Sequence, residues 1–234
     1  MTENEAHPPK SPPTINVQFA RTWSMLRPTL YRFLEAQYVD DFFKDGSLRL
    51  SSFSKFAEHP DEERQDKHEG MGIRRGLGSN MTIFMTSGRG SDCYVLCGTI
   101  CNTDAVRQKF PQYDGCIIID DILGFANAVS FGVPGFDAGL DGHVIYKDDA
   151  SITKNIGSIT AEQLQEKHKN SDGTMSMNMV SEMMNMVGGP EELFVKKSRY
   201  AEQSEFRLLW RSGEPLKPFL DLKAPNARQF CRKG

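Results

Sequence analysis

The sequence has no long apolar run, no excess of positive charge and no segment typical of export. Its longest apolar stretches, such as residues 116–119, are far shorter than the about 20 residues that a membrane-spanning helix needs. The 28 Lys and Arg residues and 31 Asp and Glu residues give a net charge of −3, so there is no overall positive field to attract a nucleic-acid duplex. Residues 1–13 lack the charged-then-apolar order of a secretory signal. We therefore expect a cytoplasmic protein without a membrane contact; a local basic patch stays open.

The sequence also lacks the common motifs of metal and nucleotide sites. It contains no HExxH, no CxxC, no GxxxxGKS or GxxxxGKT phosphate loop, and no GxGxxG after a strand. His59 and His68 lie in the charge run HPDEERQDKHEG, where Asp66 and Glu69 could join them as metal ligands. Such a run is more typical of a solvated loop. The sequence therefore predicts no metal site.

Five cysteines, an odd number, favour reduced thiols in a chain without an export signal. Cys93, Cys97 and Cys101 recur every four residues, which on a strand places all three on one face. Each four-residue step then spans about 13 Å, too far for one metal ion to bridge. Because Val95 and Thr99 favour a strand over a helix, we predict that these cysteines pack in the core as small apolar side chains.

Hydrophobic periodicity predicts strands in the N-terminal, central and C-terminal thirds of the chain, with short helices between them. The first unit is a strand over 29–34, a helix over 35–44, a turn at Asp45 and Gly46, and a strand over 47–53. Further strands are predicted at 82–85, 93–100, 116–120, 143–146 and 206–210, and helices at 104–110, 121–129, 160–169 and 175–187. The rest of 55–91 and the turn-rich residues 131–142 are predicted to be irregular. We predict a single α+β domain over residues 15–234, with a mixed or split β-sheet and flanking helices, after a disordered proline-rich tail over residues 1–14.

Residues 193–210, LFVKKSRYAEQSEFRLLW, alternate apolar and polar side chains toward their end. An extended chain would present two faces: Phe206, Leu208 and Trp210 on one, and Gln203, Glu205 and Arg207 on the other. The apolar face indicates a core, whereas the polar face needs either bulk water or a polar cleft. A solvated antiparallel strand with a cross-strand ion pair has the same pattern, so both interpretations stay open.

Arg32 is the unusual residue of the first strand, because it lies between Leu30 and Leu34 on one side of that strand. An edge arginine that extends to water would account for it. A guanidinium is also suited to hold a phosphate through two parallel hydrogen bonds. It could belong to a group that recognises an anionic ligand or partner, made of Arg32, Arg74, Arg75, Arg89 and Arg207.

The order of these elements resembles a bacterial family catalogued as domain of unknown function 2971, over most of residues 29–212. The shared features are a YRF strand, an LxLSS strand, an acidic loop, the apolar strand DGCIIID, a VxY strand and a final LFxKxxxYxxQxExR pattern. They are carried by residues 31–33, 48–52, Asp66, Glu69, residues 114–120, Val144, Tyr146, Leu193, Phe194, Lys196, Tyr200, Gln203, Glu205 and Arg207.

A more distant resemblance is to the ADP-ribosyltransferase fold, in which a split sheet binds NAD in its cleft. It rests on a polar residue in the first strand, a helix that ends in Asp-Gly, the LxLSS strand, and a late strand with Gln-x-Glu. The resemblance implies that Arg32 binds the phosphates or ribose of NAD and that Glu205 bonds the ribose 2′-hydroxyl, while Gln203 positions the acceptor. It implies further NAD contacts from Tyr31, Ser51, Ser52 and Arg207.

The chemistry implied by this resemblance is physically coherent. Loss of nicotinamide creates an oxocarbenium-like ribosyl cation, which a fixed carboxylate stabilises in the transition state. The first hypothesis is therefore an NAD-consuming mono-ADP-ribosyltransferase that modifies a protein or nucleic-acid acceptor, such as a bacterial toxin or a phage-defence effector. The alternative is a non-enzymatic binding module that recognises an anionic ligand or partner through an arginine-lined cleft. A metal-dependent nuclease or other hydrolase built on the acidic loop is a third interpretation.

Overall fold

The computed structural model describes residues 27–53, 72–87, 89–149 and 151–234. The chain is mixed α+β, as predicted, and its strands form one large sheet and two smaller ones. The strands are β1 Leu30–Leu34, β2 Ser47–Ser52, β3 Gly72–Leu77, β4 Thr82–Ser87, β5 Cys93–Thr99, β6 Gly115–Ile119, β7 Phe136–His143, β8 Ile145–Tyr146, β9 Ser151–Asn155, β10 Val195–Lys196, β11 Glu205–Ser212, β12 Phe219–Lys223 and β13 Cys231–Lys233. The α-helices are α1 Ala36–Asp45, α2 Asp104–Arg107, α3 Ile122–Ser130, α4 Ala161–His168 and α5 Met177–Val187. The proline-rich tail and the acidic loop with His59, His68, Asp66 and Glu69 lie outside the described residues.

The unit β1–α1–β2 follows the sequence prediction closely. Helix α1 ends at Gly46, whose φ of 81° is left-handed and whose backbone N–H donates to the Phe42 carbonyl oxygen. The helix packs through Val39 and Phe42, which are buried. The apolar positions of residues 38–43 also predict Tyr38 on the buried side, but its side chain is 51% exposed.

The large sheet forks at β5, and we call this branch point the fork. One edge of β5 pairs with β11 from Cys93 to Thr99. The other edge pairs with β1 at Thr99 and with β2 at Val95 and Tyr94. Strand β1 continues to β6 and β13, and β2 continues to β12, so the two branches diverge. The sheet is therefore split between β1 and β2.

The two faces of the large sheet carry different cores. One face, which includes Leu30, Leu50 and Leu96 and is covered by α1 and α3, forms the larger apolar core. The predicted apolar side of the late strand belongs to this core: Phe206, Leu208 and Trp210 are all buried. The opposite face carries a smaller core made of Phe53, Cys93, Val95, Leu193, Phe194 and Leu209.

Two segments predicted to be irregular are strands instead. Residues 72–77 form β3, which lies between β4 and β9 in a three-stranded sheet. Residues 136–143 form β7, which pairs with β11. Glycine weakens the local strand signal in both segments, but long-range pairing decides the outcome. In β3 a Cβ at Gly76 would lie 2.5 Å from Val187 Cγ1, so the missing side chain lets α5 approach the sheet.

The cysteine prediction is confirmed only in part. Cys93 and Cys116 are buried, whereas Cys97 and Cys101 are partly exposed. Cys97 and Cys93 share the face of β5 that carries the smaller core, as their spacing predicted.

Candidate functional site

A pocket of about 590 Å³ is lined by both branches of the fork. Sites for small ligands typically have volumes of about 300–1,000 Å³. Leu34, Leu48, Ile117 and Leu222 give the pocket an apolar wall. Its charged lining residues are Arg32, Asp41, Arg49, Asp221 and Lys223.

Arg32 is the charged residue that β1 contributes to the pocket. Its Cα lies opposite Ile117 of β6, so its side chain leaves the same face as Leu30 and Leu34. One Nη2–H donates to the Arg49 carbonyl oxygen at 3.2 Å, which joins the two branches across the opening. The Nε–H is buried and has no hydrogen-bond partner in the described part of the chain. This half-buried guanidinium therefore has donor capacity left for a ligand.

Burial also destabilises the charged form of the Arg32 side chain. Desolvation lowers the pKa of the Arg32 guanidinium below its ordinary value. An arginine nevertheless stays charged at neutral pH, so the charge persists beside the apolar wall. A buried cation of this kind is stabilised by an anion that also satisfies its unused N–H group.

The other two cations of the pocket already have carboxylate partners. Arg49 donates to both carboxylate oxygens of Asp221, at 2.6 and 2.9 Å. Lys223 donates to Asp45 at 2.6 Å. Both pairs are exposed at the rim, where they contribute little to stability. Arg32 is thus the cation of the pocket whose charge remains uncompensated within the described residues.

Glu205 lies in a second polar site, on the sheet face opposite to the Arg32 side chain. Its two carboxylate oxygens accept hydrogen bonds from Arg207 Nε at 2.7 Å and from Lys196 Nζ at 2.6 Å. The backbone N–H of Glu205 donates to the Tyr146 hydroxyl oxygen at 2.7 Å. Burial would raise the pKa of Glu205, but the charges of Arg207 and Lys196 outweigh it and hold the pKa at about 2. The carboxylate is therefore ionised at any physiological pH.

The polar side of β11 is buried, so of the two expected surroundings, bulk water and a polar cleft, bulk water is excluded. Arg207 is fully buried, and Glu205 is 6% exposed. Leu193 and Phe53 cover them: Arg207 Nη1 donates to the Leu193 carbonyl oxygen at 2.6 Å, and the guanidinium lies 5.6 Å from the centre of the Phe53 ring. The solvated-strand interpretation is therefore wrong for this face.

Gln203 is not on the strand, contrary to the prediction. It ends the 3-10 segment Ser198–Gln203, and Ser204 with a φ of 45° separates it from β11. It still reaches the same site, because its Oε1 accepts from Lys196 Nζ at 2.9 Å. Lys196 therefore joins Gln203 to Glu205.

The predicted NAD contacts are divided between the two faces of the sheet. Tyr31, Thr99 and Glu205 form one row across β1, β5 and β11, on the face opposite to Arg32. Arg32 and Glu205 therefore do not meet. Ser51 lines the pocket, whereas Ser52 is buried and its hydroxyl donates to the Pro218 carbonyl oxygen at 3.3 Å.

The predicted arginine group is also dispersed. Arg74 is fully buried on β3 and is held by Glu191 and Glu192. Arg75 is exposed and stacks on Phe84, with its guanidinium 5.2 Å from the ring centre. The Arg89 side chain lies outside the described residues. Of this group, the pocket contains Arg32.

The sequence analysis does not predict some of the residues that form the two sites. Tyr38, Asp41 and Asp221 line the pocket, but they come from a helix and an edge strand without a motif. Lys196 and Tyr146 contact Glu205 and were noted only as parts of short patterns. Tyr146 belongs to the short pattern at residues 144–146, and Lys196 belongs to the pattern at residues 193–207. The presence of both patterns in one resemblance was the sequence signal that the two residues lie close together.

No protein-family model, no curated protein and no solved structure matches this chain. Among the described residues, no cluster of three or more His, Cys, Asp or Glu side chains could hold a metal ion. Within the same ranges, no helix is both long and apolar enough to cross a bilayer.

Proposed function

We propose that this protein is a binding module that takes a small anionic ligand into the pocket at the fork. The observation that carries the proposal is Arg32, a half-buried cation with an unused Nε–H that lines a pocket of ligand size. An anion would compensate its charge and accept the remaining hydrogen bond. The other two cations of the pocket, Arg49 and Lys223, are less suited to bind the anion, because both already pair with carboxylates.

The ligand combines an acidic group with an apolar body. A phosphate or carboxylate suits the guanidinium, since both present two oxygens to parallel N–H groups. Leu34, Ile117 and Leu222 provide apolar surface beside it. A volume of about 590 Å³ accommodates a molecule of nucleotide or amino-acid size.

Replacement of Arg32 tests this proposal. Purified protein is titrated with nucleoside monophosphates, NAD, amino acids and inorganic phosphate, and thermal stability is recorded. A ligand at a hundred times its Kd stabilises the native state by about 2.7 kcal/mol, which gives a measurable rise in Tm. We expect such a rise for the wild type, and a loss of affinity of tenfold or more in Arg32→Gln.

Arg211→Gln is the matched control, because Arg211 is an exposed arginine of β11 that pairs with Asp137 of β7, on the edge of β5 away from both branches. It should respond to ligand as the wild type does. An Arg32→Gln protein with an unchanged ligand response, or a wild type that responds to no member of the panel, would contradict the proposal.

The second candidate is an NAD-consuming mono-ADP-ribosyltransferase with a protein or nucleic-acid acceptor, in the role of a bacterial toxin or phage-defence effector. The split between β1 and β2, with Arg32 and Ser51 beside it, favours this candidate. The position of Glu205 counts against it, because both of its carboxylate oxygens are engaged and its side chain leaves the sheet face opposite to that of Arg32.

Release of nicotinamide from NAD separates the two candidates. A transferase should release nicotinamide when acceptor or water is available, and Glu205→Gln should abolish that release. Binding of NAD without release would favour the binding module, whereas release that persists in Glu205→Gln would keep an NAD-consuming enzyme but remove Glu205 from its mechanism.

A further inference from the structure

We propose that the ligand of the pocket is a zwitterion, with its acidic group on Arg32 and an ammonium group on Asp41. The inference rests on the proposed function, because it assigns the acidic group to Arg32. It adds a second charge to the ligand and names the residue that recognises it.

Among the described residues, the charges around the pocket leave one residue of each sign unpaired. Of its charged lining residues, Arg49 pairs with Asp221, and Lys223 pairs with Asp45 outside the lining. In the part of the chain that the structure describes, Arg32 and Asp41 form no ion pair, either with each other or with another side chain. The pocket therefore has one uncompensated cation and one uncompensated carboxylate.

The fold fixes Asp41 on the wall of the pocket. Val39 and Phe42 anchor α1 in the larger core, and this sets the rotation of the helix. Tyr38 and Asp41, three residues apart, then share the exposed side that borders the pocket. The neighbouring Asp40 contacts Lys233 instead.

A purely anionic ligand would be attracted by Arg32 and repelled by Asp41. A ligand with an amine compensates both charges, so the pocket discriminates against an acid that lacks one. Because Asp41 is exposed, the gain is modest, and we expect a preference of about three- to fivefold, which corresponds to about 0.65–0.95 kcal/mol.

Matched pairs of probes that differ in an amine test the inference. Phenylalanine is compared with 3-phenylpropionate, and phosphoethanolamine with ethyl phosphate, by calorimetry or NMR titration of the full chain. The two pairs also distinguish a carboxylate from a phosphate as the acidic group. In the wild type, the amine-containing member of at least one pair should bind about three- to fivefold more tightly.

The variants separate failure of this inference from failure of the proposed function. Asp41→Asn should abolish the preference but keep acid binding, whereas Arg32→Gln should weaken both members of a pair. Asp40→Asn, one residue away and off the pocket, should retain the preference. Equal binding of both members by the wild type, or a preference that survives Asp41→Asn, overturns the zwitterion alone. Unchanged binding in Arg32→Gln, or no binding of any probe, overturns the proposed function and the zwitterion with it.

Discussion

Glu205 gives the molecule a measurable dependence of stability on pH. Its pKa in the folded protein is about 2, below the ordinary value of 4.5. The ionised carboxylate therefore stabilises the fold fully above about pH 4.5, and this contribution is lost as the pH falls toward 2. We expect the free energy of unfolding, measured by urea denaturation, to fall between pH 5 and pH 2.5.

Glu205→Gln isolates that contribution. The amide keeps the shape of the side chain but cannot balance the charges of Lys196 and Arg207, so we expect a loss of about 3–5 kcal/mol at pH 7. The decline below pH 5 should also be shallower than in the wild type. Glu202→Gln serves as the control, since Glu202 is exposed and pairs with Lys109 at the surface. Equal stability of the wild type and Glu205→Gln would show that the buried ion pairs contribute nothing.

Single residues show where sequence reasoning succeeds. The alternation in β11 correctly predicts the buried side with Phe206 and Trp210, because a period of two is a local signal. The burial of Arg207 depends on Phe53 and on Leu193, which come from distant segments. No local pattern contains that information. For the same reason, the sequence pattern identifies Arg32 as unusual but does not show that the sheet separates it from Glu205.

The C-terminal end of α1 allows a controlled test of how an element ends. Gly46 and Gly157 both have a φ of 81°. A Cβ at Gly46 would lie 2.4 Å from the backbone N of Pro225, whereas a Cβ at Gly157 would meet nothing within 4 Å. Gly157→Ala should cost only the conformational penalty, about 1–2 kcal/mol. Gly46→Ala should cost clearly more by chemical denaturation, and equal losses would mean that the backbone near Pro225 yields without cost.

Whole elements were predictable where their ends carry local chemistry. Thr160 and Gln163, three residues apart in the sequence, form a capping box at the start of α4, and the Asp-Gly turn ends α1 as expected. Strands β3 and β7 were missed because their glycines suppress strand propensity, and pairing with neighbouring strands outweighs it. The sequence predicts a mixed or split sheet, but it does not predict where the sheet splits. That position depends on the register of β1 and β2 against β5.

At the scale of the whole molecule, two buried arginines hold one short segment between the sheets. Arg74 of the three-stranded sheet pairs with Glu191 and Glu192 and donates to the Val187 carbonyl oxygen at 2.9 Å. Arg207 of the large sheet donates to the Leu193 carbonyl oxygen. The 3-10 segment Glu191–Phe194 thus has one end fixed to each sheet. The two sheets should therefore be coupled energetically through this segment.

A double-mutant cycle measures this coupling. Arg74→Met removes the buried guanidinium that pairs with the buried Glu192, so we expect a loss of about 3–5 kcal/mol. Arg207→Met should also destabilise the fold. Its cost should be smaller in the Arg74→Met background, because the first substitution has already released the segment. The two losses should then differ from additivity by at least about 0.5 kcal/mol, whereas Arg74→Met with Arg211→Gln, which share no partner, should be additive. Additive losses for Arg74→Met and Arg207→Met would mean that each sheet is stabilised independently, and that the segment transmits nothing between them.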